Sequence, residues 1–293
     1  MRLPSQTEVC ATVSGRIQEQ ARDWDVVVEH AFETESSAIA FGTRDNLAVV
    51  LKVIKRPGDE WLSGEVLRAF NGKGVVRVYE HVPGAVLLER LKPGDSLADM
   101  SLEGNDEAAT EIFGAVIQRM SAKEIPRASP TVEDWGKAFA SYIATGNDSI
   151  PGPLVGAAQG VFSALCASQG ATRLLHGDLQ HYNILFDSNR GWLAIDPKGV
   201  AGEIEYEVGA FLRNPIEQPE SFLPQAIIER RVRQLSAKLK LDSKRVLAWG
   251  FAQAVLSAIW GVEDGFEVNS RNPCLRLADV IQAMMDAKTV PGL

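Results

Sequence analysis

The chain has 293 residues, of which 45% are hydrophobic and 23% charged, and its formal net charge is −8. This composition is that of an ordinary globular protein, and it excludes collagen-like, fibrous and disordered chains. The acidic balance argues against a nucleic-acid partner. It suits a cationic small molecule, although solubility alone also explains it.

The three cysteines, Cys10, Cys166 and Cys274, lie far apart and form no CxxC pair, so neither a disulfide framework nor a zinc site is indicated. The N-terminal residues MRLPSQTEVC lack the apolar core of a signal peptide, and no apolar run approaches the length that spans a bilayer. We therefore expect a cytoplasmic monomer with neither a membrane nor a nucleic acid as partner.

The first ninety residues have the pattern of two helices and several strands. Apolar residues spaced by four predict a helix over residues 5–24, and a second helix is predicted over 58–70. Apolar and β-branched runs bounded by turn residues predict strands at 26–32, 38–43, 47–54, 75–79 and 86–91.

From Ser96 onward the pattern is mainly helical. Residues 147–153, with the sequence NDSIPGP, predict a loop between two of the helices. The helical patterns cover 106–122, 132–144, 156–168, 219–238, 244–263 and 271–287.

Residues 174–196 carry the chemistry-bearing motif. Polar side chains stand between two short apolar segments, which predicts a loop held between strands. Asp178 and Asn183 have the spacing D-x-x-x-x-N, and Asp196 ends the next apolar segment after a hairpin-like turn at 187–191. An isolated H-G-D is common in turns, so the prediction rests on all three residues together.

Phosphoryl transfer needs an acceptor hydroxyl placed in line with the γ-phosphate and a Mg²⁺ ion that absorbs phosphate charge. Asp178 is the candidate that accepts the hydroxyl proton, and Asn183 with Asp196 supplies oxygen ligands for Mg²⁺. HGDLQHYN has the form of a kinase catalytic loop, with Gly177 where protein kinases carry Arg. Without that Arg, we expect a kinase that is active without loop phosphorylation.

The segments LLHGDLQHYNILF and RGWLAIDPKGVAGEIEYEVGAFLRNP resemble the aminoglycoside and hydroxyurea antibiotic-resistance kinases, which include the streptomycin 6-phosphotransferases. The resemblance implies an α+β, two-lobed, protein-kinase-like fold. Its N-terminal nucleotide-binding lobe, residues 1–91, would hold an antiparallel sheet plus a helix, and a mainly helical lobe, residues 92–293, would hold the catalytic and substrate groups.

The resemblance also implies ATP and Mg²⁺ as cofactors and phosphorylation of a hydroxyl on an aminoglycoside such as streptomycin. Two alternatives stay open. One is a metabolic kinase for another small alcohol or sugar, and the other is a non-catalytic nucleotide-binding regulator.

The kinase resemblance assigns the nucleotide-binding residues. Lys52, at the end of the strand VVLKV, fits the lysine that pairs with the α- and β-phosphates, and Glu65 is expected to fix it by an ion pair. Glu60 is the competing partner.

The remaining nucleotide contacts are less typical. The phosphate-covering loop lacks glycine, so Ser36 and Ser37 are the candidates to offer N–H groups to the phosphates, with a plain turn as the alternative. Glu89 and Leu91, placed by order alone in the hinge, would bind adenine through their backbone.

A cationic substrate calls for carboxylates and aromatic faces near Asp178. Gly202-Glu203 matches the family's G-E pair, and SAIWGVEDG resembles its C-terminal segment. The alternative for these residues is a solvated surface with a packed Trp. The substrate candidates are Lys198, Glu203, Trp260, Glu263 and Asp264, with Glu205 and Glu207 weaker.

Overall fold

The computed structural model describes residues 6–287. Helix α1 (Gln6–Asp23) leads into a five-stranded antiparallel sheet with the order β1-β2-β3-β5-β4, and helix α2 (Ser63–Phe70) packs against β4. The sheet forms the N-terminal lobe that was expected. Its strands are β1 (Val27–Glu33), β2 (Ser37–Arg44), β3 (Leu47–Ile54), β4 (Val78–Val82) and β5 (Ala85–Glu89).

The strand predicted over 75–79 begins later, at Val78. Val75 and Val76 instead bond across to the C-terminal lobe, where the Val76 N–H donates to the Ala194 carbonyl at 2.9 Å. The helix predicted from residue 58 begins only at Ser63, because turns occupy the residues before it.

The C-terminal lobe is mainly helical, and two small sheets stand at its face toward the cleft. One sheet joins β6 (Pro93–Ser96), β8 (Ile184–Asp187) and β9 (Gly191–Ala194), and the other pairs β7 (Arg173–Leu175) with β10 (Val200–Gly202). Its helices are α3 (Leu97–Met100), α4 (Asp106–Arg119), α5 (Val132–Thr145), α6 (Gly152–Ala167), α7 (Gly209–Leu212), α8 (Pro219–Phe222), α9 (Gln225–Leu239), α10 (Ser243–Glu263) and α11 (Pro273–Asp286).

The helix predicted over 219–238 is interrupted, because Pro224 lies between α8 and α9 and has no N–H to continue the helix. Helix α10 corrects the expectation that no apolar run approaches the length of a membrane span. By length and composition alone it could cross a membrane, but 67% of that apolar stretch is buried inside the molecule. It is the central core helix of the lobe, with Trp249, Phe251 and Leu256 fully enclosed.

The small sheets bring the motif residues together. Ile184 pairs with Ala194, so the residues just outside this ladder, Asn183 and Ile195, meet at the same end of the hairpin, and Ile195 N–H donates to the Asn183 carbonyl at 2.9 Å. The second sheet continues into a bond from Lys198 N–H to the His176 carbonyl, also 2.9 Å long. The catalytic loop is therefore held between two ladders.

Candidate active site

Gly177 gives the catalytic loop its turn. Its φ is +84°, and a Cβ there would lie 2.7 Å from the Trp135 ring. A non-glycine residue would be strained by the left-handed conformation and would also collide with the indole. The absence of the kinase Arg therefore has a local steric cause, in addition to any consequence for regulation.

Glu207 supports this loop from below, a role that the sequence prediction missed. Its buried carboxylate accepts hydrogen bonds from the backbone N–H groups of His176 at 2.6 Å, Gly177 at 3.0 Å and Leu179. Burial raises the pKa of Glu207 to about 7, against the opposing effect of these three donors. A weak substrate candidate thus becomes the anchor of the catalytic loop.

His176 connects the loop to the segment that carries Asp196. The ring is fully buried, its Nε2 lies 2.7 Å from the Ile195 carbonyl, and its Nδ1 accepts from the Asp178 N–H at 3.3 Å. Burial lowers the pKa of His176, so the ring is neutral near pH 7. This hydrogen-bonding pattern assigns the proton to Nε2.

Asp178 lies in the cleft with one side-chain oxygen toward each of two neighbours. Asn183 Nδ2 donates to the Asp178 carbonyl at 2.8 Å and approaches Oδ2 at 3.4 Å. Arg213, which no sequence motif indicated, reaches Oδ1 at 3.3 Å, and Gln253 accepts from the same guanidinium at 3.3 Å. Arg213 lies 35 residues after Asp178, so the spacing of residues in the sequence gave no indication of this contact.

Asn183 and Asp196 fit a Mg²⁺ ion. Because Nδ2 of Asn183 donates to Asp178, the amide oxygen is left for another partner, and among residues 6–287 Asp196 pairs with Lys52 through Oδ1, which leaves Oδ2. Hard oxygen ligands of this kind suit Mg²⁺. No group of three His, Cys, Asp or Glu side chains in the described chain could hold a metal, so phosphate and water oxygens would complete the coordination.

Lys52 stands between the two lobes. Its side chain is 5% exposed, and Nζ lies 2.7 Å from Glu60 Oε2 and 2.9 Å from Asp196 Oδ1. Burial lowers the pKa of Lys52, but the two carboxylates outweigh burial, and the pKa lies above its usual value. The predicted pair with Glu65 is wrong: the irregular segment before α2 brings Glu60 to the lysine, and Glu65 lines a neighbouring cavity.

A cavity of about 240 Å³ lies between the lobes beside Lys52 and Asp196, and Glu89 and Leu91, the candidate adenine contacts, are among the residues that line it. The Glu89 carboxylate points elsewhere, since it accepts from Arg77 N–H at 2.8 Å and from the Arg190 guanidinium. The Glu89 N–H also donates to the Arg77 carbonyl at 3.1 Å, so any adenine contact at Glu89 would belong to its carbonyl oxygen.

The turn that replaces the glycine-rich loop is closed on itself. Thr34 Oγ1 accepts the Ser37 N–H at 3.0 Å and contacts Ser37 Oγ at 2.9 Å, and Ser37 is buried. The expectation that Ser37 offers its N–H to phosphate is therefore wrong. Ser36 lines the mouth of the cleft with Lys55, whose ammonium donates to the Thr34 carbonyl at 2.5 Å.

Glu203 does not belong to the substrate site, which corrects the prediction. It is buried, accepts Gly170 N–H at 2.8 Å, and also pairs with Arg245 and Trp249, so its oxygens are used within the C-terminal lobe. Its role is to tie helices α6 and α10 together.

Three of the other substrate candidates, Lys198, Trp260 and Asp264, lie along the cleft mouth. The Lys198 ammonium is 5.5 Å from the Trp260 ring centre, and Asp264 lines the same cavity as Lys198. Glu263 is next to Asp264 in the chain and is largely exposed. The part of its carboxyl that is buried, and to a lesser extent the charge of Asp264, raise the pKa of Glu263. Lys198, Trp260 and Asp264, unlike Glu203, lie where an acceptor could contact them.

Comparison with known proteins agrees with this geometry. A model of the aminoglycoside/hydroxyurea antibiotic resistance kinases matches residues 24–265. Streptomycin 3''-kinase of Klebsiella pneumoniae is 31% identical over 79% of this chain and 86% of its own. Streptomycin 6-kinase of Streptomyces glaucescens is 26% identical over 87% of this chain and 85% of its own.

A solved structure of aminoglycoside phosphotransferase APH(4)-Ia, a ternary complex with ADP and hygromycin B, superposes with a TM-score of 0.66 at 15% identity. The superposition covers 94% of this chain and 99% of that one. At this identity the likeness concerns the fold, which is the two-lobed kinase-like fold expected from the sequence.

Proposed function

The chain belongs to the aminoglycoside/hydroxyurea antibiotic resistance kinase family, and from that premise we propose that it transfers the γ-phosphate of ATP to a hydroxyl of a cationic aminoglycoside such as streptomycin. The coarser statement, that it is a phosphotransferase acting on hydroxyl groups, follows from the family itself. A cytoplasmic location, where ATP is available, goes with the proposal.

One observation supports this function above all others: a continuous set of contacts joins the base candidate to the nucleotide lysine. Asp178 contacts Asn183, the Asn183 backbone bonds to Ile195, and the following Asp196 pairs with Lys52. A protein that only bound nucleotides would not need a base, two metal ligands and a lysine in one cleft.

In the proposed mechanism Asp178 accepts the proton of the acceptor hydroxyl, and Arg213 and Asn183 hold its carboxylate in place. Asn183 and Asp196 would hold Mg²⁺, which neutralises charge on the phosphate oxygens when bound. Lys52, fixed by Glu60 and Asp196, directs its ammonium toward the α- and β-phosphates. Positioning and charge neutralisation then supply most of the rate acceleration.

The test is ADP release from ATP and Mg²⁺ with streptomycin, hygromycin B, hydroxyurea and neutral sugars and polyols as separate acceptors. Release with streptomycin, together with a phosphorylated product identified by mass spectrometry, supports the proposal. Release only with a neutral alcohol or sugar would replace the acceptor by a metabolite. ATP binding without turnover on any acceptor would contradict a catalytic role and favour a regulator.

A further inference from the structure

Lys198 contacts both lobes at the mouth of the cleft. Its Nζ lies 3.5 Å from Asp59 Oδ2 in the segment before α2, and 5.5 Å from the centre of the Trp260 ring on α10. The mechanism above does not use this ammonium. Its side chain is 26% exposed and that of Asp59 is 62% exposed, so the ion pair is open to water and weak.

A cavity of about 180 Å³ adjoins this contact, between α2 and the segment that precedes α5. Asp59 and Lys198 line it, and so do Glu65 and Trp135, whose ring stands edge-on to Trp260 at 5.5 Å. The Asp59 and Glu65 carboxylates, together with the Trp260 ring beside Lys198, provide acceptors for a planar cation that carries several N–H groups.

We propose that Lys198 is a tethered cation that fills a subsite for a guanidinium or ammonium group of the acceptor, between the Asp59 carboxylate and the Trp260 ring, until the acceptor displaces it. The lysine contacts show that this position attracts a cation. The adjoining cavity has the room and the hydrogen-bond acceptors that the larger guanidinium needs and that the lysine leaves unused. Glu65, which is not required by Lys52, supplies a second carboxylate there.

The inference rests on the proposed function only in that the acceptor is cationic, and its test therefore avoids turnover. The probes are methylguanidinium and its neutral analogue methylurea, titrated into the whole protein labelled with fluorotryptophan. Fluorine NMR follows the Trp260 resonance, which the Trp260→Phe variant identifies.

Removing the tethered ammonium while keeping the length of the side chain, in Lys198→Met, should tighten methylguanidinium binding by about three- to tenfold. Methylurea binding should not change. Lys244→Met is the matched control, because Lys244 is exposed at the opposite end of the helix that carries Trp260. It should bind methylguanidinium as the wild type does.

Asp59→Asn is tested in the Lys198→Met background. The ion pair with Lys198 is then already absent, so that the loss of the Asp59 carboxylate affects only the binding of the ligand. It should weaken methylguanidinium binding by about three- to tenfold, while Asp279→Asn on the exposed face of α11 should not. Equal methylguanidinium affinity in Lys198→Met and the wild type overturns the proposal. The proposal is also overturned if the chemical shift of Trp260 does not change with methylguanidinium in any variant, or if it changes equally with methylurea.

The two failures are distinguishable. If streptomycin is not phosphorylated but Lys198→Met binds methylguanidinium more tightly, the acceptor is wrong and the subsite stands. If streptomycin is phosphorylated and the affinity does not change, the function stands and the subsite is wrong.

Discussion

Lys52 forms ion pairs with one acidic residue from each lobe. Glu60 belongs to the N-terminal lobe and Asp196 to the C-terminal lobe, and both carboxylates lie within 2.9 Å of the same nearly buried ammonium. A buried ammonium with two acidic partners stays charged and has one preferred position. The position of the lysine thus depends on both the segment before α2 and the segment that carries Asp196.

Glu60→Gln should raise the KM for ATP and lower kcat, because the amide no longer fixes Lys52. Hydrogen bonds to charged groups are worth about 1.5–3 kcal/mol, and partial exposure of Glu60 reduces this to an effect of about tenfold. Glu65→Gln is the matched control and should leave the KM for ATP unchanged. Steady-state kinetics decides, and a larger effect at Glu65 would restore the pairing that the sequence suggested.

Asp178→Asn should reduce kcat by about 10²–10⁴-fold, because the amide cannot accept the hydroxyl proton. The substitution preserves shape, so we expect an unchanged KM for ATP and an unchanged Tm. Asp95→Asn, an exposed acid outside the contact set, serves as the control. Turnover within a few-fold of the wild type would exclude Asp178 as the base.

At the scale of elements, the catalytic loop owes its shape to the carboxylate of Glu207, which lies on a short 3₁₀ helix, Ile204–Val208, that follows β10. Three loop N–H groups converge on Glu207, and a buried N–H without an acceptor costs free energy. The same carboxylate is buried, which favours its neutral form. Because burial dominates, its folded-state pKa of about 7 lies above the ordinary value of 4.5.

This shift predicts a pH dependence. The folded state binds more protons than the unfolded state between pH 4.5 and about 7, so the contribution of Glu207 to stability is complete below 4.5 and is lost as pH rises through about 7. The loss amounts to roughly 3 kcal/mol. The difference in unfolding free energy between wild type and Glu207→Gln should therefore fall over this range and then stay level.

Chemical denaturation of both proteins at a series of pH values measures that difference, and the comparison cancels the other titrating groups. A difference that grows with pH would mean that the three N–H bonds outweigh burial and that the folded-state pKa lies below 4.5.

Elements with a repeating pattern were predictable from the sequence, and contacts between distant elements were not. The strand at 47–54 was correct at both ends, because apolar residues and the turn Asp45-Asn46, with φ of 49° and 64°, define it locally. Glu65 was chosen over the alternative Glu60 as the partner of Lys52, and the helix that carries it was predicted to include residues 58–62, where the chain forms turns. Contacts such as Arg213 with Asp178 depend on tertiary packing, which spacing does not encode.

The motif residues themselves were predictable, because metal and base chemistry restricts the residue types at short spacing. Asp178, Asn183 and Asp196 lie together as the D-x-x-x-x-N spacing and the hairpin turn suggested. Their catalytic roles, and the lobe boundary between Leu91 and Lys92, stay predictions.

At the scale of the whole molecule, the lobes are joined firmly on one side and open on the other. Opposite the cleft mouth, Ala194 N–H donates to the Gly74 carbonyl at 2.9 Å, and Val76 N–H donates back to Ala194. Arg190, at the tip of the β8–β9 hairpin, donates to the Gly72 carbonyl at 2.6 Å and pairs with Glu89. Motion of one lobe relative to the other should therefore pivot about this side.

Arg190→Met tests this pivot, because it removes the bonds to Gly72 and Glu89 together. We expect a loss of about 2 kcal/mol of stability, seen as a Tm lower by several degrees. We also expect a higher KM for ATP, because Glu89 lines the cavity between the lobes that is the candidate adenine site, with less change in the KM for the acceptor. Arg77→Met is the matched control: Arg77 reaches the same glutamate only at 3.9 Å, and its side chain is 60% exposed, against 18% for Arg190. Equal losses of Tm in both variants, or a larger change in the acceptor KM than in the ATP KM, would place the pivot elsewhere.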